Sequence, residues 1–274
     1  MKQLSKFDKI LIADLAPNTI GDILDFSSSE GKETIYFDHH TSDMDIPENV
    51  LEIRDLRKSS ASRIIYDIIG TEKEFLRVAS LICDVGWTHE DNVRELQSYL
   101  KENKFSLNDV KSQAYLGGYG LIYFSDNLNK AFDIFKDFEN WDDLKKLEKY
   151  SKPVEEDLNM WVEGFEKNKE VFGKIIFYYF EPKYNIKSMA INAMSFPRPD
   201  DVFVFATPNE GVGIKLSARN QTRDYSMIDL LRAGIKGLEN ASSGGHVPAA
   251  GGFIQAKDLE KFKENLKKYA DKMK

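Results

Sequence analysis

Three consecutive residues that could bind a metal ion, Asp38, His39 and His40, follow directly after the short apolar run of residues 34–37. Another carboxylate, Asp14, ends a first apolar run at residues 9–14. Aspartates with imidazole form a hard, oxygen-rich ligand set, which suits Mn²⁺ or Mg²⁺ better than structural zinc. The alternative for Asp14 is a helix cap or turn, the commoner role of a lone aspartate after a strand.

Asp84 is a further acidic candidate, since it follows a helical pattern and precedes Gly86. Its alternative role is an ordinary carboxylate at a helix end. His89 is interpreted as structural. The single cysteine, Cys83, excludes an internal disulfide framework and a cysteine-based zinc site, and it is predicted to be a small buried residue.

A second chemistry-bearing segment is SSGGHVPAAGG, at residues 242–252. Consecutive glycines let backbone N–H groups approach an anion without obstruction by a Cβ atom. His246 adds a hydrogen bond or a positive charge. The pattern indicates a phosphate-binding loop, with a merely flexible loop as the alternative.

Upstream of this segment, Lys215, Ser217 and Arg219 alternate along a predicted strand and would share one face. The guanidinium of Arg219 suits bidentate contact with phosphate, and Arg223 is a weaker basic candidate.

The elements that must position these residues fall into two parts. Strands at 9–14, 34–37 and 50–53 alternate with helices at 20–26, from an N-cap at Ser59 or Ser60 to 69, and at 72–83, which predicts an α/β domain with a parallel sheet. Residues 91–168 are mainly helical, and the glycines of residues 117–120 are interpreted as a loop or helix break. A second α/β unit begins near residue 173. Its predicted elements are strands 174–180, 188–193, 201–206 and 212–218, a turn at 208–211, helices 227–238 and 259–272, and a short strand at 252–254.

The composition excludes two broad classes of function. The net charge of -7 argues against a protein that coats long nucleic acid, although it allows a short phosphorylated substrate in a locally basic site. No apolar stretch approaches the roughly 18 residues that span a bilayer, so no membrane association is expected. The N-terminus lacks the apolar core of a signal peptide, which predicts a cytoplasmic protein.

Asp38, His39 and His40 after a strand, followed about 200 residues later by GGHVPAAGG, resemble the two motifs of the DHH/DHHA1 phosphoesterases. This family includes RecJ-like exonucleases, nanoRNases and cyclic-dinucleotide phosphodiesterases. The resemblance implies a DHH domain at residues 1–145, a helical linker at 146–172, and a smaller substrate-binding DHHA1 domain at 173–274. It places the active site in the cleft between the two domains.

The resemblance also assigns roles. Asp14, His39 and Asp84 match metal ligands, with two Mn²⁺ ions expected and Mg²⁺ as an alternative, whereas Asp38 and His40 match catalytic positions. Residues in the second domain match the substrate-binding strand and the phosphate-binding glycine loop, in which Ser243 replaces the first glycine. These substrate-binding residues are Ser217, Arg219, Gly244, Gly245 and His246.

One family motif has no counterpart before Asp14. The first motif is His-x-Asp-x-Asp, and Asp8 is the only earlier aspartate in this sequence. The chain is therefore expected to start part-way into the domain, with natural loss of the motif as the alternative.

The function predicted from these residues is metal-dependent hydrolysis of phosphodiester or phosphomonoester bonds in short oligonucleotides or nucleotides. A catalytically inactive nucleotide-binding or nucleic-acid-binding module of the same fold is the alternative, and a polyphosphate hydrolase is a third hypothesis. A homodimer stays an open alternative to a monomer.

Overall fold

The computed structural model describes residues 2–40, 42, 44–56, 60–70, 73–86, 90–209, 211 and 213–273. Backbone contacts group the chain into two compact units, the first comprising Met1–Leu121 and Asn127–Glu148, and the second Ile122–Asp126 and Lys149–Lys274. The division into residues 1–145, 146–172 and 173–274 stays a prediction, because these contacts define packing units and not family domains. None of the described helices combines the length and apolar character needed to span a bilayer.

The first unit is an α/β structure with three strands and seven α-helices over the described residues. The elements are β1 (Lys9–Ala13), α1 (Pro17–Ser29), β2 (Glu33–Asp38), β3 (Val50–Arg54), α2 (Ala61–Ile69), α3 (Glu74–Cys83), α4 (Glu90–Asn103), α5 (Leu107–Tyr123), α6 (Leu128–Phe135) and α7 (Trp141–Leu144).

The three strands of this unit form a parallel sheet in the order β1-β2-β3, as the alternation of strands and helices predicted. One face carries Ile10, Ile12 and Tyr36, which pack against Ile20 and Leu24 of α1. Parallel pairing brings the carboxyl ends of neighbouring strands to one edge of the sheet. Ala13 lies opposite Phe37, so the residues that follow β1 and β2 come together at this edge.

Residues 117–120 form neither the predicted loop nor a helix break, because they lie inside α5. A Cβ atom at Gly118 would lie 3.2 Å from the sulfur of Cys83, and one at Gly120 would lie 3.1 Å from Leu147. The glycines therefore serve close packing of α5 against its neighbours, and this packing outweighs their low helix propensity.

The second unit contains six strands and four α-helices over the described residues. They are α8 (Glu148–Asn168), β4 (Glu170–Phe172), β5 (Ile175–Tyr179), α9 (Lys187–Ser195), β6 (Val202–Asn209), β7 (Gly213–Arg219), α10 (Met227–Gly234), β8 (Ser242–His246), β9 (Ala249–Gln255) and α11 (Leu259–Ala270).

The strands of the second unit form one mixed sheet in the order β4-β5-β6-β7-β9-β8. One face builds the main core, where Val204 and Leu216 pack with Leu230 of α10 and Phe262 of α11. The opposite face of β5 and β6 is covered by Phe165 of α8, which contacts Tyr178, Phe203 and Phe205. Helix α9 packs against β6 and β7.

The strand predicted at residues 188–193 was wrong, because this segment belongs to α9. The reason is topological. β5 and β6 are parallel neighbours, and parallel neighbours require a crossover connection, which is usually a helix. The buried residues Ala190, Ile191 and Ser195 lie on the side of α9 that is shielded from solvent.

The glycine-rich segment is a β-hairpin and not the predicted loop, since β8 pairs with β9 and β9 pairs with β7. Residues 208 and 209 of the predicted turn belong instead to β6, which continues to Asn209, and Glu210 lies outside the described residues. The hairpin thus extends the sheet that also carries Ser217 and Arg219.

Two neighbouring glycines of β8 should respond differently to substitution. Gly245 has φ 136°, and a Cβ atom there would lie 2.5 Å from the carbonyl oxygen of Ala249. We expect Gly245→Ala to reduce the free energy of unfolding by about 1–3 kcal/mol in a denaturant titration, since both the backbone conformation and the contact are unfavourable.

Gly244→Ala is the matched control, because a Cβ atom at Gly244 would meet nothing within 4 Å. Its unfolding midpoint should stay close to that of the unsubstituted protein. Equal midpoints for the two variants would contradict the role assigned to Gly245.

Candidate functional site

Asp14 is held at the end of β1 by backbone interactions. Its N–H donates to the carbonyl oxygen of Phe37 at 3.0 Å, which continues the pairing of β1 with β2 by one residue. Its φ of 61° is left-handed, a conformation that aspartate tolerates better than most residues and that often occurs at functional sites. The carboxylate also accepts a hydrogen bond from the backbone N–H of Ala61, at the start of α2. The side chain is thereby fixed at the edge of the sheet.

Asp14, His39 and His40 form a compact group of ligand atoms. One donor atom from each residue lies within 4.8 Å of the other two. His39 Nε2 lies 3.3 Å from Asp14 Oδ1, and the centroids of the two imidazole rings are 4.5 Å apart. A carboxylate and two imidazoles at this spacing could hold a divalent cation.

Asp38 lies behind this group and has no exposed surface. One of its oxygens is 2.7 Å from His40 Nδ1, and the other accepts the backbone N–H of His40 at 3.2 Å. A buried carboxylate that bonds to Nδ1 orients the imidazole and directs its other nitrogen away. Asp38 is therefore placed to act through His40.

The charges of the group shift the carboxyl pKa values in opposite directions. The hydrogen bond with His39 is the main reason that the pKa of Asp14 lies below its usual value. Burial, followed by the nearby negative charge of Asp14, raises the pKa of Asp84 to about 6. Asp84 is thus close enough to feel Asp14, although it lies outside the compact group of three. A divalent cation would relieve the repulsion between these two carboxylates.

A cavity of about 390 Å³ adjoins this group and has both Asp14 and Asp84 in its wall. Asp84 keeps accessible surface inside this concavity while protein surrounds it elsewhere, which explains how an accessible carboxyl can have a raised pKa. Most of the wall is apolar and includes Ile65, Leu76 and Phe135.

Cys83 also lines the cavity and is exposed there, so the expectation of a buried residue was wrong. The thiol lies beside α5, with its sulfur 3.5 Å from the carbonyl oxygen of Ala114. Burial of the thiol group by the surrounding atoms, with a contribution from Asp84, raises its pKa to about 12. A thiol that stays protonated is a poor metal ligand and nucleophile.

The second unit brings most of its predicted residues onto one face of its sheet. Directly opposite residues of antiparallel strands share a face. Arg219 lies opposite Ala249, which lies opposite His246, so these three form one row across β7, β9 and β8.

A parallel row contains Ser217, Gly251 and Gly244. Gly245 pairs with Ala250 and therefore belongs to the other face. Four of the five predicted substrate-binding residues thus share a face, and Gly245 does not.

The two rows define a trough, which we name by its members Arg219, Ser217, Gly244 and His246. Its floor carries only small residues, and a Cβ atom at Gly251 would meet nothing closer than 3.8 Å. Neighbouring strands are about 4.8 Å apart, so Arg219 and His246 start about 10 Å from each other. This is the separation of their backbones, and a guanidinium and an imidazole that extend from it could both reach a phosphate group placed over β9.

Arg219 is positioned by α9 and by its own strand. Its Nε donates to Asn192 Oδ1 at 3.3 Å, and a terminal nitrogen donates to the carbonyl oxygen of Ala218 at 3.3 Å. Burial lowers the pKa of the guanidinium, because the charged form loses contact with water. Arg223 lies beyond the end of β7 and is exposed, and His89 lies outside the described residues.

Two groups that lie beside the candidate site residues were not predicted from the sequence. The backbone N–H of Ala61 has no side-chain signal, since any residue at this position could donate it. Lys187, whose amino group donates to the carbonyl oxygen of Leu216 at 2.9 Å beside the trough, is one of many lysines in the chain. Only the placement of α9 distinguishes it.

Comparisons with known proteins agree with this architecture. No protein-family model matches the chain, and no curated protein sequence matches it. Manganese-bound RecJ from Thermus thermophilus superposes with a TM-score of 0.63 at 18% identity, over 100% of this chain and 46% of that one, so the chain spans less than half of that protein.

Two further structures extend the comparison. The DHH domain of a protein assigned to a family of ribosomal proteins gives a TM-score of 0.70 at 14% identity, over 96% of this chain and 70% of that one. An exopolyphosphatase-related protein from Bacteroides fragilis gives a TM-score of 0.57 at 15% identity, over 98% of this chain and 74% of that one. The chain carries the Asp38-His39-His40 motif at the end of β2 and the glycine motif in β8 and β9. It therefore has the DHH/DHHA1 fold.

Proposed function

We propose that the protein is a metal-dependent phosphoesterase that hydrolyses phosphodiester or phosphomonoester bonds in short oligonucleotides or nucleotides. The observation that carries this proposal is the group of Asp14, His39 and His40, whose ligand atoms lie within 4.8 Å of one another. The relatives by fold include RecJ bound to manganese.

The donor set fits the proposed ion. A carboxylate, two imidazoles and a second carboxylate nearby suit Mn²⁺, with Mg²⁺ as the alternative, because these ions prefer oxygen and imidazole to sulfur. We assign Asp14, His39 and Asp84 as ligands, with His40 beside them at the substrate. When bound, such ions lower the pKa of a coordinated water and stabilise charge on the phosphoryl oxygens.

The residues of the chain supply orientation and charge. Asp38 bonds to His40 Nδ1 and orients the imidazole, which leaves Nε2 for the metal or the substrate. Asp14 is held by Ala61 and by the pairing with β2, so its carboxylate needs little rearrangement to accept a cation. Preorganised groups of this kind reduce the cost of reaching the transition state.

The trough of the second unit supports a phosphate-bearing substrate. Arg219 offers a planar pair of donors for two phosphate oxygens, and His246 and the glycine floor lie across from it. Long nucleic acid is disfavoured by the net charge of -7, whereas a short oligonucleotide needs only a local basic surface.

A catalytically inactive binding module is the second candidate function. It is favoured by one observation. Among the described residues, the compact group contains only three ligand residues, whereas the trough is assembled entirely within the second unit and needs no metal. Such a protein would bind nucleotides without hydrolysing them.

Hydrolysis of a short oligonucleotide with and without Mn²⁺ tests the proposal. We expect Mn²⁺-dependent release of mononucleotides, and we expect Asp14→Asn to reduce the rate by roughly a thousand-fold, because a ligand carboxylate is lost. Asp25→Asn, an exposed carboxylate on α1, is the matched control and should keep the full rate.

Calorimetric titration with Mn²⁺ separates the two candidate functions. Uptake of Mn²⁺ by the unsubstituted protein, weakened in Asp14→Asn, supports the phosphoesterase. Tight binding of a nucleotide with no uptake of Mn²⁺ and no turnover would instead identify the binding module.

Asp38→Asn tests the supporting role of the buried carboxylate. The variant keeps the shape of the side chain but removes the charge that holds His40, so we expect Mn²⁺ affinity to fall by about 10–100-fold. Titration calorimetry measures this, and a melting curve checks that the variant is folded. An unchanged affinity in a folded variant would show that Asp38 does not act on the metal site.

A further inference from the structure

Three tyrosines cluster on the surface of the second unit, where the end of α5, the start of α8 and the segment before α9 meet. Tyr123 ends α5, Tyr150 lies in the first turn of α8, and Tyr184 lies between β5 and α9. The ring centroid of Tyr123 lies 5.3 Å from that of Tyr150 and 5.9 Å from that of Tyr184. We call these three residues the tyrosine platform. All three rings keep accessible surface, and Tyr123 is 38% exposed.

The tyrosine platform is supported from within the second unit. Phe124 is buried, and its ring centroid lies 4.7 Å from that of Tyr150. The backbone N–H of Tyr184 donates to Asp157 Oδ2 at 2.9 Å, which fixes the segment before α9 on α8. The rings are therefore positioned before a ligand binds, and preorganisation of this kind reduces the cost of binding.

The platform tyrosines differ from those that serve the core. Tyr178 is buried, and its hydroxyl donates to the carbonyl oxygen of Trp161 at 3.0 Å. Within the part of the chain that the structure describes, the three platform hydroxyls make no hydrogen bond. Neighbouring aromatic rings that stay exposed are typical of a binding surface, because an apolar face next to a wet hydroxyl suits an interface.

Two lysines accompany the rings of the platform. Lys149 Nζ lies 4.8 Å from the ring centroid of Tyr150, and Lys183 Nζ lies 5.3 Å from that of Tyr184. Both lysines are exposed, and neither is paired with a carboxylate among the described residues. The surface therefore combines aromatic faces with positive charge.

We propose that the tyrosine platform binds the unpaired bases of a single-stranded oligonucleotide by stacking, while Lys149 and Lys183 contact its phosphates. The inference rests on the proposed function, because it adds a site for the bases of the same substrate.

Single-stranded nucleic acid is the ligand class that uses both features of this surface. Every base has a π face, so an aromatic ring stacks on bases of any sequence, and the backbone phosphates attract nearby lysines. An apolar peptide would use the rings but not the charges. When a base stacks on Tyr150 or Tyr184, the flexible lysine over that ring can move to a phosphate oxygen.

The position of Tyr184 connects the platform with the trough. Tyr184 precedes Lys187 by three residues, which span at most about 11 Å. Lys187 donates to the carbonyl oxygen of Leu216, the residue before Ser217 of the trough. An oligonucleotide of a few residues is therefore long enough to contact both surfaces of the second unit.

Equilibrium binding of two tetranucleotides to the full chain tests the proposal, with EDTA present so that no metal ion takes part. One ligand carries four thymine bases, and the other has the same sugar-phosphate backbone with every base replaced by hydrogen. Since the two ligands carry equal charge, a difference in affinity reports on the bases. The unsubstituted protein should bind the thymine ligand at least about ten-fold more tightly, as stacking of one base would produce.

Substitutions locate this preference on the platform. Tyr184→Leu keeps an apolar side chain but removes the ring, so binding of the thymine ligand should fall about ten-fold and binding of the abasic ligand less than about two-fold. Tyr123→Leu should act in the same direction, and Tyr184→Phe should keep the preference because it keeps the ring. Tyr269→Leu, at a half-buried tyrosine of α11 outside the platform, is the matched control and should bind as the unsubstituted protein does.

Salt dependence tests the role of the lysines. Lys183→Met should weaken both ligands equally and lower the slope of log Kd against log salt concentration by about 0.7, the value for one phosphate contact of a single strand. Lys152→Met is the matched control, because Lys152 is exposed and lies near Glu156, and it should leave the slope unchanged.

Equal affinity of the unsubstituted protein for the two ligands would overturn the inference, and so would an equal loss for both ligands in Tyr184→Leu. Dimerisation that Tyr184→Leu abolishes without changing the preference for bases would instead make the platform an interface between copies of the chain. Because binding is measured without metal, absent turnover with an intact preference would reject the phosphoesterase and keep the platform. Turnover without the preference would do the reverse.

Discussion

The parallel pairing of β1 with β2 is the constraint on which the first unit depends. It sets Ala13 opposite Phe37, so the chain leaves both strands at the same edge. The hydrogen bond from Asp14 N–H to Phe37 extends this pairing to the residue that carries the carboxylate. A shift of register by one residue would turn every side chain of the shifted strand to the opposite face and separate Asp14 from His39.

The second unit depends on an equivalent constraint of antiparallel register. β7, β9 and β8 align Arg219 with His246 and Ser217 with Gly244 across three strands. The central strand contributes only Ala249 and Gly251 to these rows, so no side chain fills the space between the polar groups. Small residues are needed here because a larger one on β9 would occupy the position assigned to phosphate.

The two units differ in electrostatic character. The first gathers carboxylates, where burial and then the charge of Asp14 raise the pKa of Asp84, and such a group is stabilised by cations. The second gathers cations, where burial and then the charges of Lys215 and Arg219 lower the pKa of Lys187, and such a group is stabilised by anions. A phosphoester with bound divalent ions combines both kinds of charge, which is why the proposed function accounts for both sites.

The amino-acid sequence by itself determined the α/β character of both units and the parallel sheet, and it supplied the candidate residues of the two sites. Apolar runs that end in Asp14 or Asp38 predict strand ends, and β1 and β2 do end within one residue of these positions. The tertiary structure decided the secondary structure of segments whose partners lie far away in the sequence. Residues 188–193 became helical because parallel β5 and β6 need a crossover. Residues 242–246 became a strand because β9 offers an edge to pair with. The contact between Ala61 and Asp14 and the position of Lys187 beside Arg219 each join elements far apart in the chain, and no local pattern records such a contact.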